Sequence, residues 1–332
     1  MKTILVTGGY GFIGSCFVLR EIAAGNKIIN LDKLTYAANL KNLTEIEKNP
    51  YYNFYKGDIC NNEIVAKIFA ENEIDWVVNF AAESHVDNSI EKPAEFIETN
   101  IFGVYNLLQN SLNYWKNLED TKKRNFRFLH VSTDEVYGSL ELDSPKFSEA
   151  TKYDPSSPYS ASKAASDHLV NAWHVTYGLP CIITNCSNNF GQRQHSEKLI
   201  PKIISNCLHE KPIPIYGNGE NIRDWIFVAD HCAGIKLALE KGKAGESYCF
   251  GGNAEKTNNQ IVNLICEKMD ILRPRKNGES YKKLVNYVKD RAGHDKRYAI
   301  DDSKAKKELG YVQSETFEKR IEETIGFYLS EV

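Results

Sequence analysis

The tightest constraint on the fold lies at the start of the chain. A strand-like run, Thr3-Ile4-Leu5-Val6, enters Gly8-Gly9-Tyr10-Gly11-Phe12-Ile13-Gly14 and then a stretch of helical character, Ile13–Ala24. A chain turns this sharply from strand to helix where side chains are missing. One glycine makes the turn, another lets the backbone approach a ligand, and a third lets the helix press on the strand. The helix then presents its free amide N–H groups to whatever lies beyond the strand, a setting suited to phosphate.

Glycines beside a strand are often only a loop, so the context has to carry the reading. Asp32 closes the second strand-like run, 18 residues after Gly14. A carboxylate there accepts the hydroxyls of an adenosine ribose and repels a 2′-phosphate, which points to NAD rather than NADP. Lys33, next in sequence, acts against part of that repulsion. Gly8, Gly11, Phe12, Ile13 and Gly14 are the expected pyrophosphate contacts. Asp58-Ile59 after the third strand is placed at the adenine edge, and Ala81-Ala82 after the fourth lines the cofactor.

Further apolar runs of strand length recur at Ile28–Leu31, Phe54–Tyr55, Trp76–Phe80, Phe128–Val131 and Ile182–Asn185. Helical stretches such as Ile97–Trp115 and Ala161–Tyr177 separate them. This alternation predicts an α/β fold, a Rossmann-type doubly wound parallel sheet covered on both faces. After residue 187 short extended pieces mix with polar loops and helices, among them Pro212–Tyr216, Asn259–Met269 and Asp302–Leu309. We expect residues 1–187, with about 221–245 returning, to form the NAD-binding domain. Residues 188–220 and 246–332 then form a smaller, interleaved C-terminal lobe for the substrate.

The 332 residues are 42% apolar and 26% charged with a net charge of -3, which gives no global reason to expect nucleic acid or a membrane as partner. No apolar stretch has the length of a membrane span. The eight cysteines show no Cys-x-x-Cys and no zinc spacing, so no metal is expected. A reducing, cytoplasmic location is the expectation.

Two further clusters carry chemistry. Tyr159 and Lys163 stand one helical turn apart, so both project from one face. A phenol with a reference pKa of about 10 is a poor base at neutral pH, and a neighbouring ammonium and a nicotinamide cation are expected to lower it. Upstream, Ser132-Thr133-Asp134-Glu135-Val136-Tyr137-Gly138 puts two acids at the carboxyl end of the fifth strand, where ligands of open α/β sheets bind. Moving a hydride needs one base. Two extra acids imply a second step, in which a ketone acidifies the neighbouring C–H and an acid expels water.

At this point the chain resembles the extended short-chain dehydrogenase/reductase superfamily, from residue 3 to about 311. The string Ser132–Gly138 is similar to that of nucleotide-sugar 4,6-dehydratases, as are Leu31–Ala37, Ala81–Asp87, Glu197–Pro201, Ile222–Trp225 and Asp290–Tyr298. The resemblance implies that Tyr159, held by Lys163, takes the 4-hydroxyl proton while hydride leaves C4 for NAD, with Thr133 bonded to that oxygen. Glu135 then removes the C5 proton, Asp134 protonates the leaving 6-hydroxyl, and hydride returns to C6. It adds Thr35 and Thr99 to the cofactor contacts. It implies that Arg223 and Arg291 grip the diphosphate with Asn188, Asn258, His294 and Tyr298 assisting, that Pro214 and Tyr216 flank the base, and that Ser84, His85, Glu197, Lys198 and Leu199 meet the sugar or nucleoside. A glutamate at 135, where dehydratases for other sugar nucleotides carry lysine, implies dTDP-glucose as substrate. A homodimer paired through a four-helix bundle is implied by the same analogy.

Gly191-Gln192-Arg193-Gln194-His195, Ala292 and Gln313 depart from the family pattern, in loops near the nucleotide or the tail. A sugar-nucleotide 4-epimerase shares NAD, Tyr159 and Lys163 but has no use for two acids. A non-catalytic NAD-binding scaffold needs neither the pair nor the acids.

Overall fold

The computed structural model describes residues 1–290 and 295–331. In chain order its strands are β1 (Thr3–Thr7), β2 (Lys27–Asp32), β3 (Tyr52–Lys56), β4 (Trp76–Asn79), β5 (Arg127–Thr133), β6 (Cys181–Cys186), β7 (Asn188–Phe190), β8 (Ile213–Tyr216), β9 (Ile222–Phe227), β10 (Ser247–Phe250), β11 (Glu255–Thr257) and β12 (Val285–Val288). Seven of them form one sheet in the order β10-β6-β5-β4-β1-β2-β3. Every pairing in it is parallel. The order reverses between β1 and β4, and that reversal opens a crevice beyond their carboxyl ends.

The apolar runs read as strands because both faces of the sheet are covered; β4 and β6 are buried at every position. Alternation sorts their side chains between two cores. Ile4, Val6, Val78 and Leu129 face helices Phe12–Ala23 and Val228–Lys241, whereas Leu5, Val77 and Phe128 face helices Asn62–Glu71, Val104–Lys116 and Pro158–Tyr177. A third core, with Ile203, Ile213, Trp225, Ile261 and Ile325, holds the C-terminal lobe, which includes a three-stranded sheet β11-β9-β7 and a two-stranded pair β12-β8. The stretch 246–332 contributes to both bodies: β10 is the seventh strand of the main sheet, and Ala305 and Leu309 of helix Ser303–Leu309 pack into its core.

The expected helix over 97–115 is longer and interrupted. It starts with Pro93 at its first turn, passes through a π-helical segment at Glu98–Gly103, and runs on as Val104–Lys116. Asn100 lies in that segment, and its amide accepts from the Glu83 N–H at 2.9 Å and donates to the Glu83 carbonyl at 3.0 Å and to Ser162 Oγ at 2.9 Å. One side chain thus ties the loop after β4 to the helix that carries Tyr159 and Lys163. All eight cysteines are free thiols. Among the described residues no helix is long and apolar enough to cross a membrane, and no group of three or more His, Cys, Asp or Glu is placed to hold a metal.

Candidate active site

The crevice is a cavity of about 320 Å³, and every residue expected at the dinucleotide lines it. Its floor is built by missing side chains. Gly8 has φ +72°, and a Cβ there would come within 2.8 Å of the Ala81 nitrogen; one on Gly14 would meet the Gly8 carbonyl oxygen at 2.2 Å. The turn can therefore lie flat against the end of β4, which leaves the cradle open for a pyrophosphate. Thr7 Oγ1 donates to Asn79 Oδ1 at 2.5 Å and accepts from the Ala81 N–H at 3.2 Å, latching β1 to β4 at the reversal.

Asp32 is fixed by accepting from the N–H groups of Tyr10 (2.9 Å) and Leu34 (2.8 Å), and burial pushes its carboxyl above the usual range. The ammonium of Lys33 turns away and pairs with Asp58 at 2.6 Å. Burial raises Asp58, but Lys33 and the Cys60 N–H outweigh it and hold the carboxylate below its ordinary value. The positive charge beside Asp32 is thus committed elsewhere, so a 2′-phosphate gains little from it. The glycine cradle and the ribose carboxylate fit NAD.

The acid-bearing string encodes its own geometry. Thr133 caps a short 3₁₀ turn, Asp134–Tyr137, by accepting from the Glu135 N–H at 3.3 Å. Gly138, at φ +85°, ends the turn where a Cβ would stand 2.6 Å from the Asp154 carbonyl oxygen. Asp134 is 2% exposed, and its Oδ2 has no hydrogen-bond partner. Burial, then the neighbouring Glu135 charge, pushes its carboxyl well above the usual range, which favours the neutral acid form. Thr133, Asp134 and Glu135 all line the cavity, with Tyr159 and Lys163 opposite.

Tyr159 sits in the first turn of helix Pro158–Tyr177, which a Ser157/Ser160 capping box and Pro158 at the first position start at a fixed place. The expectation joined the ammonium to a nicotinamide cation; the ammonium by itself does not lower the phenol. Burial and the Glu135 charge push it well above its ordinary value, and a hydrogen bond with Thr133 works the other way. Lys163 explains the difference. Its Nζ donates to the Val131 carbonyl at 2.8 Å and lies 3.1 Å from His130 Nε2, and burial lowers it to about 8.

Of the expected substrate contacts, Ser84, Asn188, Glu197 and Lys198 line the cavity with Thr133. Asn188 Oδ1 is buried without a hydrogen-bond partner, and the residue lines the cavity. The structure does not bring His85, Leu199, Pro214, Tyr216, Arg223, Asn258 or Tyr298 to that wall. His85 Nε2 lies 3.6 Å from Glu197 at the rim, and Leu199 packs against the core of the C-terminal lobe. Pro214 and Tyr216 stand on β8, and Asn258 begins a helix. Arg223 stacks on Tyr298 at 4.3 Å and donates to the carbonyls of Ile222 and Asp295. Arg223 is felt by Asp134, and Tyr298 feels Glu135, so both adjoin the acids from the far side. Arg291 and His294 lie outside the described residues.

Sequence reasoning missed the polar layer beneath the site. Ser187 lines the cavity with its Oγ buried and unpartnered, and His130 and Asp167 surround Lys163. Asp167 had a signal: Tyr159, Lys163 and Asp167 repeat at four-residue spacing on one helix face. His130 had none, being one residue of an apolar strand.

Comparison with known proteins agrees with this geometry. The family model for GDP-mannose 4,6 dehydratase matches residues 5–324. A dTDP-glucose 4,6-dehydratase from Haemophilus influenzae is 54% identical over 332 residues, covering 99% of this chain and 98% of that protein. One from Xanthomonas campestris is 53% identical, covering 99% and 94%. Among solved structures, the dTDP-glucose 4,6-dehydratase DesIV of Streptomyces venezuelae, with NAD and dTDP bound, has 41% identity and a TM-score of 0.89 over 99% of this chain and 97% of that one. A UDP-glucose 4-epimerase from Thermotoga maritima reaches a TM-score of 0.88 at 28% identity, covering 99% of each chain. The fold is therefore shared with the epimerases, and identity at this level over nearly the full length of both partners decides the rest: the chain belongs to the dTDP-glucose 4,6-dehydratase family.

Proposed function

We propose that the chain dehydrates dTDP-glucose to the 4-keto-6-deoxy sugar nucleotide, as a lyase that keeps its NAD through successive turnovers. The observation that carries this reading is the acid pair: Asp134, buried with its pKa raised, beside Glu135 in the cavity that Tyr159 also lines. An epimerase on the same fold has no step for a proton donor at the 6-hydroxyl.

When bound, NAD supplies the hydride acceptor at C4 and returns the hydride at C6. Everything else falls to the chain. Tyr159 takes the 4-hydroxyl proton, with Thr133 placed to orient that oxygen through the hydrogen bond the two side chains already share. The resulting 4-ketone acidifies the C5 proton, which Glu135 removes as base. Asp134 gives its proton to the 6-hydroxyl, which leaves as water, and once hydride has reached C6 the acid form of Glu135 returns a proton to C5. The glycine cradle and Asp32 hold the dinucleotide, and burial of Thr133, Asp134 and Tyr159 keeps water from the unsaturated ketone. The chain gains no electrons overall, so no second substrate has to enter to regenerate it.

The nucleotide end is assigned to the C-terminal lobe, with Arg223, Tyr298, Pro214 and Tyr216 reaching the diphosphate and base once the lobe closes on the substrate. Arg291 and His294 are assigned there by resemblance. Residues 1–187, with helix Val228–Lys241 returning, serve the dinucleotide. A homodimer is proposed through helices Val104–Lys116 and Pro158–Tyr177, whose neighbourhood leaves Phe102, Tyr105, Val175 and Tyr177 exposed.

The test uses purified protein with no added reductant and dTDP-, UDP- and CDP-glucose deuterated at C4. Deuterium appearing at C6 of a 4-keto product from the dTDP sugar is the expected result. Inversion at C4 with C6 untouched would replace the reading with epimerisation.

A further inference from the structure

Under the cavity floor lies a dry polar cluster that the reaction as written does not use. Lys163, His130 and Asp167 are 2%, 0% and 1% exposed. His130 Nε2 stands 3.1 Å from Lys163 Nζ and 3.6 Å from Asp167 Oδ1, so one ring nitrogen lies beside both charged groups. The ring is itself held: Nδ1 lies 3.0 Å from the Asn79 amide, and Nε2 lies 3.2 Å from Ser166 Oγ. Asp167 Oδ2 accepts from Ser132 at 2.7 Å, from Tyr153 at 3.0 Å and from Asn185 at 3.5 Å. Its Oδ1 has no hydrogen-bond partner at all.

A buried carboxylate that served only the fold would be expected to satisfy both oxygens. This one satisfies Oδ2 threefold and leaves Oδ1 facing His130 and, beyond it, the ammonium of Lys163. We propose that Asp167 and His130 are positioning residues for Lys163: Asp167 supplies the counter-charge that keeps the lysine a cation in a dry site, and the neutral ring of His130 fixes where that cation stands.

The electrostatics agree in direction. Burial, together with Lys163, holds His130 well below its ordinary value, so the ring adds no second positive charge. Burial lowers Lys163 to about 8, while Asp167, and less so Cys186 from β6, push it back up. Burial raises Asp167 to about 6, and Lys163, Ser132, Tyr153 and Asn185 act against that. The groups facing Lys163 are thus His130 from β5, Cys186 from β6 and Asp167 from its own helix. Asp167 titrating below Lys163 favours a charged pair near neutrality. Without the carboxylate, a lysine this deeply buried would lose its proton inside the working range.

The decisive measurement is a titration of Lys163 in the full-length protein, with lysine labelled with ¹³C at Cε and the resonance identified by its loss in Lys163→Met. Asp167→Asn, which keeps the shape of the side chain and removes the charge, should lower the midpoint by about one unit or more. Asp167→Glu, which restores the charge, should return it toward the wild-type value. In the unaltered protein the same resonance should show a second, smaller inflection near pH 6 as Asp167 takes up its proton. That observation needs no variant to fold. A midpoint unmoved by Asp167→Asn, or no second inflection in the unaltered protein, overturns the proposal.

The catalytic consequence rests on the reaction proposed above. The alkaline limb of C4 oxidation should move down by the same amount as the midpoint, with KM for dTDP-glucose unchanged. A role confined to folding would lower thermal stability and leave that limb in place. If the unaltered protein fails to turn over dTDP-glucose, the function assigned above falls while the titration result stands.

Discussion

Asp134 and Glu135 are adjacent in the chain, yet their surroundings differ. Both line the cavity, but Asp134 is buried, which raises its pKa, and Glu135 is less deeply buried. Two carboxyl groups separated this way can act as acid and base at the same pH. The contrast predicts different failures. Glu135→Gln should leave C4 oxidation measurable and abolish exchange of the C5 proton with solvent. Asp134→Asn should retain that exchange and slow loss of the 6-hydroxyl by roughly 10²- to 10⁴-fold. Mass spectrometry of quenched single turnovers in deuterated water distinguishes them; a full rate of water loss in Asp134→Asn would remove it as the acid. The sign of the pH effect follows from the raised pKa. Asp134 keeps its proton to a higher pH than an ordinary carboxyl and loses it as pH rises through its elevated value. The stability that this neutral carboxyl lends the fold is lost in the same direction, so elimination should weaken as pH rises.

At the scale of elements, short sequence signals place the chemistry. Thr133 and Gly138 bound the turn that holds the acids, and Ser157, Pro158 and Ser160 start the helix that holds Tyr159. Gly138→Ala would force a Cβ to 2.6 Å from the Asp154 carbonyl oxygen at a positive φ. We expect a loss of at least about 1 kcal/mol of stability, since a left-handed residue already costs that much. Turnover should fall by roughly ten- to a hundredfold, because the acids move with the turn. Calorimetry and a turnover assay on the same preparation check both. These elements were legible in the sequence because glycine, proline and hydroxyl residues act locally, and the strands were legible because both faces of a parallel sheet demand apolar side chains. The start of the helix around Asn100 was not, since a π-helical insertion leaves no simple periodicity. Nor was the environment of Lys163: its partners His130 and Val131 are 33 and 32 residues away along the chain, so only the folded sheet brings them together. The small influence of the ammonium on the Tyr159 phenol has the same origin. Spacing put Lys163 on the same helix face, but the direction of its ammonium was set by a strand.

At the scale of the whole molecule, one group of exposed apolar side chains lies on the catalytic helix and the helix packed beside it. Phe102 is 61% exposed and Val175 74%, while Tyr105 meets Trp173 edge-on at 5.8 Å across the pair. Patches of this kind mark association surfaces. Phe102→Glu together with Val175→Glu should yield a monomer by light scattering, with the far-ultraviolet circular dichroism of the parent. A dimer that persists in the double variant would place the interface elsewhere. The π-helical segment gives such an interface mechanical reach. Within five residues it sends Thr99 into the cavity, clasps Glu83 and Ser162 through Asn100, and turns Phe102 outward. A partner seated against Phe102 therefore leans on the wall that grips the dinucleotide, and loosening the assembly should be felt first as a cofactor that washes away on dilution.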